Sequence, residues 1–185
     1  MIRNWWRQPS RDRNIKTIYG VIVAQARAPV FYAEYGVPDT VDGRFDMIVL
    51  HLFLYVRRMS GRGNGGPGQP LFDRFCADLD GNLREMGVGD LTVPKRMQKY
   101  AEAFYGRCAA YEKVLSAGDS EAAVLTIARN VFGREEPLPG AQRLADYMFE
   151  SSVALSLIED VALERGQFRF PTPTYMANVA AANDG

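Results

Sequence analysis

Apolar residues recur at three- and four-residue intervals along nearly the whole chain, the spacing that gathers side chains on one face of an α-helix. Ile15, Ile18, Tyr19, Ile22 and Ala26 make one stripe, and Phe72, Phe75, Cys76, Leu79, Leu83 and Met86 make another. The most regular stripe runs through Met97, Tyr100, Ala101, Phe104, Cys108, Tyr111 and Leu115. Two more follow, in 120–132 (Val124, Leu125, Ala128, Val131, Phe132) and in 141–164 (Leu144, Met148, Leu155, Ile158, Ala162). No stretch alternates apolar and polar residues as a half-buried strand does. The pattern predicts an all-α protein, a single compact multi-helix domain.

One segment departs from amphipathic patterning. From about 42 to 59, through MIVLHLFLYV, apolar residues occupy almost every side. A helix without a polar face is normally enclosed, so this one is expected at the centre with the others around it. Asp39, with Asp42 three residues on, is its predicted start, and Arg57 and Arg58 are suited to its C-terminal dipole end. GRGNGGPGQP, 61–70, is predicted to be a mobile loop, a helix restarts at Asp119 or Ser120, and GREEPLPG separates the last two helices. Pro171 and Pro173 open an irregular tail. The expected organisation is a basic, Trp-containing segment at 1–14, a helical domain at 15–165 and a Pro-containing tail at 166–185.

Composition narrows the function classes. With 185 residues, 47% apolar and 24% charged, the chain fits one globular domain with a sizeable core. Acidic and basic residues cancel at 22 each, which argues against a general nucleic-acid binder. The balance is uneven: residues 1–16 carry Arg3, Arg7, Arg11, Arg13 and Lys16 against Asp12 alone. Cys76 and Cys108 form no CxxC and His51 is the sole histidine, so neither a Cys/His zinc site nor a disulfide framework is expected. No metal or cofactor is expected. The basic start is not followed by a secretory apolar core, and the longest apolar run, 47–56, is short of the roughly 20 residues that span a bilayer. A protein of a reducing compartment, soluble or peripheral to a membrane, is expected.

Several constellations invite a chemical reading. The 61–70 loop lacks the GK[ST] ending and the preceding strand of a phosphate-binding loop. Asp73, Asp78 and Asp80 read as a solvated face rather than a converging metal site. His51 is either a hydrogen-bonded core residue or a ligand or haem contact. Trp5 and Trp6, flanked by Arg3 and Arg7, suit contact with an anionic membrane surface or a partner, or else cover a gap in the core. In LREMGVGDLTVPKR, 83–96, Gly87 fits a helix C-cap and Pro94 a helix start, which leaves the charges to be explained. Arg84, Glu85, Asp90, Lys95 and Arg96 either lock two helices together or hold an anion or an acidic partner segment.

GVPDTVDGRFDMIVLHLFLYVRRM followed by FCADLDGNLREMGVGDLTVPKRMQKYAEAFYGRCAAYEKVL resembles the ubiquinol–cytochrome c chaperone family, the bacterial relatives of the mitochondrial cytochrome b assembly factor. The resemblance runs from about 15 to 165 and is most specific through Asp39–His51 and Arg84–Tyr111. It implies a non-enzymatic assembly chaperone that binds newly made cytochrome b before it joins the ubiquinol–cytochrome c reductase. In mitochondria the relative works with a small partner protein near the ribosomal exit. The compact chain, without a long presequence region, is expected of a bacterial form at the cytoplasmic face of the inner membrane. A ribosome or that membrane surface is then a further expected contact.

A chaperone of a membrane protein needs adaptable apolar surface. Phe31, Tyr32 and Tyr35, with Met47 and Met59 nearby, are candidates for it, with core packing as the other reading. Two different functions fit the residues as well. One is a helical enzyme acting on an anionic small molecule at Arg84, Lys95 and Arg96, with Asp90 or His51 moving a proton. The other is a ribosome-docking adaptor that uses the basic N-terminus.

Overall fold

The computed structural model describes residues 9–60 and 66–174, so Arg3, Trp5, Trp6, Arg7 and most of the Gly-rich loop lie outside the described residues. Within them the chain is all-α, with eight helices and no strand. α1 (Pro9–Ala26) leads into the short α2 (Pro29–Ala33), then α3 (Val41–Met59), α4 (Gly68–Glu85) and α5 (Val93–Ala117). α6 (Ser120–Phe132), α7 (Pro139–Ser156) and the short α8 (Asp160–Glu164) complete the order.

α3 is the central helix, as its all-round apolarity predicts. Every residue from Phe45 to Tyr55 is buried, and α1, α4, α5, α6 and α7 all pack against it. Its N-cap is Thr40 rather than Asp39: the Thr40 hydroxyl accepts from the Gly43 amide at 3.1 Å. Asp39 is drawn away to Arg44, at 2.7 Å. At the other end Arg58 donates to the carbonyls of Leu155 (3.0 Å) and Ile158 (2.8 Å) and pairs with Asp160. These carbonyls lie at and just beyond the end of α7, where i→i+4 bonding stops.

Several boundaries differ from the sequence pattern. Gly68, Gln69 and Pro70 belong to the first turn of α4, not to the loop. The stripe at 141–164 is two helices, because the chain turns at 157–159, where Leu157 and Ile158 keep the segment apolar but not helical. Residues 166–174 form no regular element, yet Phe168 and Phe170 are buried in the core. The packed body therefore continues beyond 165. Phe168 stacks on Tyr55 with ring centres 5.2 Å apart, and Gln25 of α1 donates to the Pro171 carbonyl at 3.2 Å.

Two glycines let the 35–38 segment run hard against the starts of α3 and α7. A Cβ on Gly43 would lie 2.0 Å from the Pro38 carbonyl oxygen, and one on Gly140 would lie 2.0 Å from that of Tyr35. Neither neighbour is a flexible side-chain end. Gly140→Ala should therefore cost about 2–3 kcal/mol as an overpacking change. Gly20→Ala, in mid α1 with nothing within 4 Å of its Cβ, should stabilise by about 0.5–1 kcal/mol. Urea unfolding of both variants checks the pair, and a neutral Gly140→Ala would contradict the close approach.

Candidate functional site

The clasp at 166–174 and α8 close the molecule around the C-terminal half of α3. Around its N-terminal half the surface is instead grooved. A hollow of about 230 Å³ lies between the end of α1, α3 and α4, with Val41, Ile48, Phe75, Leu79 and Met86 as apolar lining and Arg27, Asp78 and Glu85 among the polar ones. A second, of about 470 Å³, lies between α3 and α5 and is lined by Asp42, Phe45, Arg96, Lys99, Tyr100, Ala103 and Arg107. Phe45 lines both. A third hollow, lined by Arg27, Pro29, Tyr32, Ala33, Asp39 and Arg44, adjoins the first through the two arginines.

The charged segment 83–96 is the corner that connects α4 to α5, and it divides into two parts. Gly87, at φ 78°, ends α4 in a left-handed turn: the Val88 amide bonds the Leu83 carbonyl (3.0 Å) and the Gly87 amide that of Arg84 (2.9 Å). This double closure satisfies carbonyls at the helix end and explains the glycine. Gly89 takes no left-handed conformation; its carbonyl instead accepts the Thr92 amide at 2.7 Å. Arg84 pairs with Asp80 (2.7 Å) and with Asp90, so these two of the predicted charges fasten the corner internally. Glu85 and Met86 face the apolar hollow, and Arg96 faces the α3–α5 groove. Lys95 is exposed, and neither it nor Arg96 has an ion pair among the described residues. Leu91, at the tip of the corner, is 98% exposed.

The aromatic surface expected at 31–35 is mostly not a surface. Phe31 is fully buried, with Tyr147 4.9 Å and Tyr35 5.5 Å away ring to ring. Tyr35 and Met59 are buried as well. α2 turns Phe31 inward against α3 and α7, and Met47 is fully buried too, so four of the five candidates are core residues. Tyr32 alone reaches a hollow, while its hydroxyl donates to the Ala26 carbonyl at 2.8 Å.

His51 is a core histidine. Its Nδ1 lies 2.7 Å from the Met47 carbonyl, which accepts only, so Nδ1 carries the proton and Nε2 accepts from the Tyr147 hydroxyl at 3.0 Å. Gln25 donates to that same hydroxyl at 2.9 Å. Both ring nitrogens are occupied and the residue is fully buried, which leaves no position for a ligand. Burial pushes its pKa down to about 4. His51 and Asp90 do not meet: one is enclosed in mid α3, the other exposed at the corner. The residues named for a proton-transfer site on an anionic substrate are thus not assembled into one. Asp73, Asp78 and Asp80 also diverge, to Gln69, Tyr19 and Arg84 respectively. Among the described residues no cluster of three His, Cys, Asp or Glu fits a metal ion.

Sequence reasoning missed the buried pair Asp46–Arg107, which lies at the edge of the second groove. Arg107 Nε approaches Asp46 Oδ1 to 2.7 Å, at an angle poorer than a straight hydrogen bond, and the guanidinium also lies 5.4 Å from the Phe45 ring centre. Burial pushes the Asp46 carboxyl up to about 7 against the opposing pull of Arg107. The sequence signal was available: an aspartate inside an otherwise apolar helix requires a buried partner.

The family model for ubiquinol-cytochrome C chaperone matches residues 33–170. The chain belongs to that family. Among solved structures it is similar to the Cbp3 homolog from Brucella abortus, at 40% identity over 88% of this chain and 91% of the other, with a TM-score of 0.79. No curated protein matches. The family model spans α3, α4, α5 and the corner between the last two, while Arg27, Pro29 and Tyr32 of the hollows lie before its first residue. In this chaperone family member, then, the 83–96 signature is one edge of a recessed surface, part fastening and part rim.

Two outcomes follow for the charges. Lys95→Gln with Arg96→Gln should leave stability within about 0.5 kcal/mol of wild type, as surface changes do; a large fall in melting temperature would show an internal network. The buried acid and histidine pull stability in opposite directions with pH. His51 binds its proton only in the unfolded chain between about 4 and 6.5, so its contribution rises with pH. Asp46 holds its proton in the folded chain from 3.8 to about 7, so its contribution falls. Asp46→Asn should therefore make melting temperature climb more steeply with pH than wild type between pH 4 and 6.5. An unchanged slope would contradict the buried neutral acid.

Proposed function

We propose that this protein is an assembly chaperone that binds newly made cytochrome b and supports its maturation into the ubiquinol–cytochrome c reductase. The observation that carries the reading is family membership joined to an open, grooved and chemically mixed surface around the N-terminal half of α3. A client with apolar segments joined by charged loops needs both kinds of surface, and here they adjoin through Phe45. The hollows are shallow and share walls, which suits a chain lying across them better than a small substrate enclosed on most sides. The role is one of binding rather than catalysis.

None of the helices in the described residues is long and apolar enough to cross a membrane. The protein works beside its membrane client rather than within the bilayer through those helices. We place it at the cytoplasmic face of a bacterial inner membrane, where cytochrome b emerges. Arg3, Trp5, Trp6 and Arg7 supply the chemistry for holding an anionic surface there. A ribosome or a small partner protein would meet the client complex at the same stage.

Deletion of the gene should lower cytochrome b and assembled reductase together, while other respiratory complexes keep their levels. Haem difference spectra and native gels of membranes read both. Unchanged reductase in the deletion strain would end this reading.

A further inference from the structure

We propose that the α3–α5 groove receives an acidic segment of the protein's partner, with carboxylates against Arg96 and Lys99 and an apolar side chain against Phe45 and Tyr100. The inference rests on the chaperone reading only for the partner's identity.

Arg96, Tyr100, Ala103 and Arg107 are spaced four, three and four residues apart, so α5 presents them as one stripe toward α3. At 1.5 Å per residue the stripe is about 16 Å long, the reach of roughly five extended residues. Phe45 and Tyr100 form its aromatic base, with ring centres 4.7 Å apart.

The charges of the groove do not balance locally. Asp42 accepts from the Tyr100 hydroxyl at 2.9 Å, and Asp46 is committed to Arg107. Arg96 and Lys99 are exposed and have no ion pair among the described residues. Their position is itself unfavourable. The first turn of α5 holds no acid, and the positive side chains of Lys95 and Arg96 there oppose the positive end of the helix dipole, with Lys99 one turn on adding to the same charge. Fold stability does not explain cations at this place, whereas an incoming carboxylate meets the cations and the dipole together.

Other occupants fit less well. A small anion would stay half-solvated in so open a groove. A nucleic-acid backbone would find only this short stripe of cations, on a chain with no net charge. A flat bilayer reaches a recessed stripe poorly, and the aromatic base offers a protein side chain more than it offers a headgroup.

The test uses the full chain and a fluorescein-labelled peptide of alternating glutamate and phenylalanine, with a twin carrying lysine for glutamate. Anisotropy should show binding of the acidic peptide, weakening as salt rises, and at least tenfold weaker binding of the lysine twin. The double variant Arg96→Glu, Lys99→Glu should lose at least tenfold in affinity. Its melting temperature should hold or rise, since acids suit a helix N-terminus, so that loss of binding is not loss of fold. Equal binding by the double variant, or by the twin peptide, overturns the proposal. So does a preference for phosphatidylglycerol vesicles that the same variant abolishes, since the cations would then serve a lipid surface. In cells, failure of the double variant to restore reductase where wild type does supports the groove. Full restoration overturns it while leaving the chaperone reading intact.

Discussion

From Phe45 to Tyr55 every residue of α3 is buried, and this burial sets the terms for the other helices. Apolar side chains pointing in every direction need walls on every side, which α1, α4, α5, α6 and α7 supply. Asp46 and His51, inside this stretch, must find partners across those walls. Arg107 of α5 and Tyr147 of α7 are those partners. Each cross-link fixes how a neighbouring helix lies against the centre, because an unpaired buried charge or imidazole costs more than the bond returns.

The enclosure is unequal along the helix. Over its C-terminal half the 166–174 segment, α8 and Arg58 add a further layer, and Tyr55 donates to the Leu163 carbonyl at 3.1 Å. Over its N-terminal half no such layer exists among the described residues, and hollows open between α3 and its neighbours. The corner at 83–96 belongs to this second half. Its internal pairs tie the end of α4 to the connecting turn, while Lys95, Arg96 and Leu91 stand exposed without an ion pair or apolar cover among the described residues.

Sequence pattern showed the helices well where they were long and amphipathic, and it showed α3 because apolarity on every side admits few other readings. It left Phe31 and Tyr35, in and just after α2, and Met47 and Met59, on α3, open between surface and core, and all four are core. α2 has only five residues, less than two turns, so its apolar positions have no period from which to read an inward face. The break between α7 and α8 was hidden because Leu157 and Ile158 continue the apolar run through a non-helical turn. The 166–174 segment was hidden for a related reason: Phe168 and Phe170 alternate with exposed Gln167 and Arg169 as in a strand, yet no strand pairs with them. The grooves themselves were not legible, since they arise from residues 42–48, 75–86 and 96–107 brought together by packing. Only the charge pattern of Lys95 and Arg96 pointed toward them.

On the chaperone reading the client is held at the grooved end of α3. Photoreactive residues placed singly at Arg44, Met86 and Lys99, around the hollows, and at Leu125 and Val153, on the outer faces of α6 and α7, test it in growing cells. Newly made cytochrome b should be recovered crosslinked from the first three positions and not from the last two. Recovery from Leu125 and Val153 alone, or from none of the five, would contradict the account.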